Sequence, residues 1–202
     1  MEFAEYTLSK FNDKLASDAP TPGGGSVAGL GTALSGALIE MVINLTDDEA
    51  LQKKIPTVKE KREEALQLID DDAESFNQVM AAFKMPKDSE EEKAKRTEAI
   101  QEALYGASLT PFDTMKVGLK LLKIARAIIG NCNPNAISDI GVAGLIGFAS
   151  IKSANLNVMI NTASLHDKEK AKEMEKEASA IIKEAKKITR ELEEITEDEI
   201  SS

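Results

Sequence analysis

Residues that build covalently or metal-stapled scaffolds are nearly absent from this chain. Of its 202 residues, one is cysteine (Cys132) and one is histidine (His166). A lone thiol closes no intrachain disulfide, and one imidazole beside one thiol makes no zinc cluster. The expectation is a metal-free protein in a reducing, cytoplasmic compartment. Tryptophan is missing and aromatic residues make up only 4%, so Ala, Ile, Leu and Gly must fill the core, which suits close helix packing better than a β-sandwich. Positive charge is also in deficit, 25 Lys and Arg against 35 Asp and Glu for a net charge of -10. Phosphate-rich partners would be repelled over most of such a surface, which sets the chain against nucleic acid and anionic membranes. No apolar stretch follows a basic start, so a secretory signal is not expected. The longest apolar run, 27–45, approaches membrane-spanning length but is interrupted by Gly29, Gly31, Thr32, Ser35, Gly36 and Glu40. It predicts a buried helix of a soluble protein.

What is present is helical periodicity. With 42% hydrophobic residues over 202 positions, the length fits one domain spanning 1–202. The pattern predicts an all-α bundle of about seven helices ending in a long C-terminal one. A first helix is expected over 3–16, then a break at 20–26, where Pro20 and Pro22 forbid helix and Gly23, Gly24 and Gly25 allow unusual backbone angles. Ser26 is the expected cap of the apolar helix that follows. A helix over 56–83 should bury Leu66, Ile69, Ala73, Phe76, Met80 and Phe83 as one stripe. Ser89 and Glu92 form a capping-box pattern, opening a helix that should end at Pro111. Another is expected over 112–129, stopped by the Gly130–Asn135 loop signal. Ser138 is the expected cap of a helix over 140–154, and 156–161 reads as helix because it has no partner strand. The last helix, over 167–196, carries Met174, Ala178, Ile181, Ala185, Ile188, Leu192 and Ile195 at heptad spacing. That seam can pack along its own domain or against a second copy.

Several residues could carry chemistry. The turn of Gly23, Gly24, Gly25 and Ser26 offers free amide donors at a helix start, although it lacks the Gly-Lys-Ser/Thr ending of a phosphate loop. Asp70, Asp71 and Asp72 are separated by about 100° steps and cannot face one metal. Asp72 lies on the edge of the apolar stripe, where a carboxylate must be paired or do acid-base work. Glu40 raises the same question. Asn157 and Asn161 share a helix face beside apolar neighbours, and buried amides of that kind need partners that a heterocycle could supply. Asn131, Ser138 and Asp139 cluster at a helix junction, where capping accounts for Ser138. Lys116, Lys120 and Lys123, with Arg126 beside them, form a basic stripe that is either a solvated face or a seat for an anionic tail.

Taken in order, the run 20–26, Met41-Val42 ahead of Leu45-Thr46, Asp72 four residues before Phe76, Gly130-Asn131, Ser138-Asp139 and the run 156–161 resemble the formiminotetrahydrofolate cyclodeaminase and methenyltetrahydrofolate cyclohydrolase family. The likeness extends over about 3–167. It implies an all-helical homodimer that binds a tetrahydrofolate derivative in a cleft near the subunit contact, with no cofactor beyond that substrate. Under this resemblance Asp139 and Asp72 take acid-base and cation-stabilising roles. Asn157 and Asn161 contact the pterin or the one-carbon bridge, Gly23 to Ser26 wall the cleft, Asn131 and Ser138 line it, and Lys116, Lys120 and Lys123 receive a glutamate tail, polyglutamylated or not. Cyclodeaminase is the leading expectation, since Gly130-Asn131 looks more like that version; cyclohydrolase stands close beside it. A non-catalytic helical assembly protein is the reading from outside the family.

Overall fold

The structure is a computed structural model that describes residues 3–202, and among these the regular elements are all helical. The N-terminal segment opens with a short 3-10 turn, Phe3–Glu5, ahead of α1, Leu8–Leu15. The expected single helix over 3–16 is thus split at Thr7, whose hydroxyl accepts from the Lys10 amide as an N-cap. Six further helices follow: α2, Gly24–Asn44; α3, Glu49–Gln52; α4, Ile55–Phe83; α5, Glu90–Ile128; α6, Ile137–Ala163; and α7, Lys168–Ser201. Helix α2 lies against α4, α5 and α6, while α7 covers α5 and α6.

Apolar periodicity located most elements, and backbone chemistry decided their ends. Helix α5 does not stop at Pro111 but runs through it for 39 residues, because a bundle neighbour can satisfy the carbonyl that proline leaves free. The capping box of Ser89 and Glu92 forms as expected. Helix α6 is likewise continuous through 154–156. Ser26 and Ser138 cap nothing: Gly23 occupies the cap position of α2 and Ala136 that of α6, so both serines lie inside the first turn. The stripe predicted on α4 holds at Ile69 and Ala73 but then rotates. Val79 and Ala82 are buried, whereas Phe76, Met80 and Phe83 are 38%, 38% and 46% exposed. The heptad seam of α7 packs along its own domain, with Met174, Ala178, Ala185, Ile188 and Leu192 buried.

Two helices, Gly24–Asn44 and Pro134–Ala163, are long and apolar enough to cross a membrane by length and composition alone. Both instead sit at the centre of the bundle, pressed together by small residues. Ser35 donates to the Ala143 carbonyl at 2.8 Å. Gly29 lies so close to α4 that an added Cβ would stand 3.2 Å from the Ala65 carbonyl oxygen and 3.3 Å from the Ile69 nitrogen. Glu40, the one charge in α2, is answered by Arg62 Nε at 2.8 Å.

Because two of the three nearest atoms facing Gly29 are backbone and cannot swing aside, Gly29→Leu should destabilise the fold by about 1–3 kcal/mol. Gly106 in α5 has no atom within 4 Å of an added Cβ, so Gly106→Ala should stabilise by about 0.5–1 kcal/mol through helix propensity. Urea denaturation of the two variants checks both the signs and the contrast.

Candidate active site

Gly23, Gly24 and Gly25 bring the start of α2 to the middle of α4, and the C-terminal half of α6 closes over both. The result is a pocket of about 340 Å³, in the range of small-molecule sites, lined by Gly23, Gly24, Gly25, Asp72, Asn157 and Asn161. Pro20, Thr21, Ser75, Phe76, Val79, Ala107 and Ile160 complete the wall. Residues from four separate stretches of sequence meet here, and the lining has one carboxylate and no cation.

Asp72 is set into the N-terminus of α2. Its Oδ2 lies 2.9 Å from the Ser26 hydroxyl, and the Ser26 amide also donates to it. Gly25 makes this approach feasible, since a Cβ there would fall 1.9 Å from Asp72 Oδ1. Burial pushes the Asp72 carboxyl above the usual carboxylate range, while the Ser26 hydroxyl and amide pull it back. The same Ser26 hydroxyl lies 3.0 Å from the Ile69 carbonyl. Ser26 can therefore donate to ionised Asp72, or turn to Ile69 and accept from the protonated acid. Either protonation state of Asp72 keeps a partner.

The neighbouring acids have separate tasks. Asp70 accepts from the Phe3 amide at 2.6 Å and so fastens the N-terminal segment. Asp71 accepts from Gln67 at 2.9 Å, and its carbonyl receives the Ser75 hydroxyl. Ser75 also touches Thr110 Oγ1 at 3.0 Å, tying α4 to α5 beside the pocket. On α6, Asn157 Nδ2 donates to the Ser153 carbonyl at 3.1 Å, and Asn161 Nδ2 crosses to the Ala107 carbonyl of α5 at 2.8 Å.

Other expected site residues lie elsewhere. Asn131, Ser138 and Asp139 sit at the opposite end of α6, absent from the pocket lining. Eighteen residues of helix separate Asp139 from Asn157, about 27 Å along the axis. One subunit therefore does not bring Asp139 to Asp72. The basic stripe is also drawn off: Lys116 pairs with Asp113 at 2.9 Å and stands over the Phe112 ring, Lys123 pairs with Glu184 at 2.9 Å, and Arg126 reaches Glu191 at 3.7 Å. The acidic face of α7 takes up much of the charge that the sequence left unassigned; Lys120 is exposed and enters no ion pair among the described residues. Conversely, Ser75, Phe76 and Ala107 were not identified as site residues. Ser75 and Phe76 stand three and four residues after Asp72, spacing that could have revealed them, while Ala107 contributes a backbone carbonyl that side-chain patterns do not show.

Comparison with known proteins agrees with this fold. Residues 7–180 match the family model described as formiminotransferase-cyclodeaminase. A methenyltetrahydrofolate cyclohydrolase of Methylorubrum extorquens is 40% identical over 184 residues, covering 87% of this chain and 88% of that protein. The formimidoyltransferase-cyclodeaminase of Rattus norvegicus is 30% identical over 83% of this chain, which spans 33% of the rat protein. Among solved structures, formiminotetrahydrofolate cyclodeaminase from Thermotoga maritima superimposes with a TM-score of 0.80 at 28% identity, covering 94% of this chain and 96% of that one. The helical bundle, the pocket-forming turn and these matches together place the chain in the formiminotransferase-cyclodeaminase family, as an enzyme of folate one-carbon chemistry.

Proposed function

We propose that the protein is a methenyltetrahydrofolate cyclohydrolase, opening 5,10-methenyltetrahydrofolate with water to give 10-formyltetrahydrofolate. The observation that carries this choice is the 40% identity to the Methylorubrum extorquens cyclohydrolase along nearly the whole of both chains. It reverses the order of the two activities expected from Gly130-Asn131. The pocket chemistry supports either reaction. A methenyl bridge is an amidinium-like cation, and a lining with one carboxylate, two amides and no cation favours such a group.

In this reading water adds to the bridge carbon as Asp72 accepts its proton. The resulting tetrahedral carbon then breaks its bond to N5, which keeps the electron pair and takes the proton from Asp72, while the adduct's hydroxyl gives its proton to solvent as the formyl C=O forms. Asp72 is suited to holding that proton in between, because Ser26 supports both of its states. The second reading is formiminotetrahydrofolate cyclodeaminase, favoured by the structural match to the Thermotoga maritima enzyme. There N10 attacks the formimino carbon and ammonia leaves, with the same carboxyl moving the proton.

A homodimer belongs to the proposal. On α2, Val27, Leu34 and Met41 recur every seventh residue and are 40%, 47% and 38% exposed, a seam suited to a second copy. Asp139 can take part only if that copy carries it to the pocket.

Supplying the purified protein with methenyltetrahydrofolate and, separately, formiminotetrahydrofolate tests the assignment. Loss of the methenyl chromophore without ammonia marks the hydrolase, ammonia release the deaminase, and neither overturns the enzyme reading. Asp72→Asn should lower turnover at least about a hundredfold. The folded state holds the Asp72 proton above its ordinary value of 3.8. That stabilising effect is complete below the ordinary value and is lost as pH rises through the raised one. Thermal melts should therefore show Asp72→Asn gaining on the wild type between acid and neutral pH. Leu34→Glu should convert a dimer to monomer in sedimentation velocity; a monomeric wild type removes the seam.

A further inference from the structure

Helix α5 carries a proline in its interior, and the consequence falls inside the pocket. Pro111 has no N–H, so the carbonyl four residues earlier, that of Ala107, has no helical donor. A carbonyl left this way at a part-buried position needs another partner. It finds one in α6, where Asn161 Nδ2 donates to it at 2.8 Å. Ala107 and Asn161 are both pocket-lining residues.

This contact fixes more than a distance. A carbonyl oxygen can only accept, so the Asn161 amide must present its nitrogen to α5 and spend one of its two N–H groups there, which leaves Oδ1 as the unpartnered acceptor. One turn earlier Asn157 is committed in the same sense, its Nδ2 on the Ser153 carbonyl. The two amides therefore offer acceptors from one helix face. If α5 had an ordinary residue at 111, the Ala107 carbonyl would take the helical N–H. Asn161 could then rotate its amide and offer a donor as readily as an acceptor.

We propose that Pro111 is a positioning residue: by freeing the Ala107 carbonyl it locks the Asn161 amide oxygen-outward, so that this wall selects the N–H edge of a heterocycle over an acceptor edge. The ligand part rests on the folate assignment; the lock does not.

The test is Pro111→Ala, which restores the missing N–H. Helix propensity predicts an unchanged or higher melting temperature, so a binding defect in a stable protein separates positioning from unfolding. In the wild type the side-chain amide protons of Asn161, followed by NMR, should exchange slowly; in Pro111→Ala they should exchange at the rate of a free amide. KM for 5,10-methenyltetrahydrofolate should rise about tenfold in Pro111→Ala, the scale of one hydrogen bond, with kcat within about twofold. Asn161→Ala should raise KM at least as much, and the double variant should be no worse than Asn161→Ala alone. Additive KM losses, or Asn161 exchange that does not change in Pro111→Ala, overturn the proposal. A wild type that turns over no folate removes the functional assignment instead, and the exchange measurement still decides the lock.

Discussion

Everything in this bundle depends on how closely α2 can be approached. Where Gly25 and Gly29 face α4, a methyl group would meet the Asp72 carboxylate at one level and backbone atoms at the next. Towards α6, Gly31 faces Ser150 and Ser35 reaches the Ala143 carbonyl. Where glycines open the packing, large side chains of the neighbouring helix fill the space, Leu121 against Gly36 and Leu122 against Gly147. The same closeness makes the pocket. Asp72 can be both half-buried and bonded only because the first turn of α2 has no side chain in its way.

Charge follows a parallel logic. The chain is acidic as a whole, yet few acids face the centre, and those that do are assigned: Glu40 to Arg62, Asp70 to the N-terminal backbone, Asp72 to Ser26. On the outside, α7 lays Glu184 and Glu191 over the cations of α5. These are exposed pairs of small individual worth, but they remove the basic stripe as an independent feature. What remains is a pocket in which one carboxyl group sets the sign.

The sequence showed the fold well where periodicity and caps agreed. The spans of α4 and α7 and the capping box at Ser89 were legible; the break ahead of α2 was legible too, but it ends at Gly23, and Gly24 and Gly25 enter the helix without positive φ. It misled at Pro111 and at Ser26, for one reason. Both readings took a local rule, that proline ends a helix or that serine caps one, without the neighbour that alters it. Asn161 answers the carbonyl that Pro111 leaves, and the helix that packs on Asp72 starts upstream at Gly24, so Ser26 turns its hydroxyl to Asp72 from inside the first turn. The pocket was half legible: glycines, Asp72 and the two asparagines stood out by type and spacing. Asp139 and the lysines stood out equally well, and only three-dimensional placement separates the two groups.

The hydrogen bond from Ser35 to Ala143 spans 108 residues of chain. At ordinary rates of synthesis, about 5–20 residues per second, that interval is about 5–20 s. During it α2, the most apolar helix of the first half, leaves the ribosome without the partner that covers its α6-facing side. Helices α4 and α5 emerge in the interval and shelter its other faces first. The order of elements along the chain therefore works as a folding schedule, in which the central helix is wrapped from one side before the helix carrying both pocket asparagines arrives.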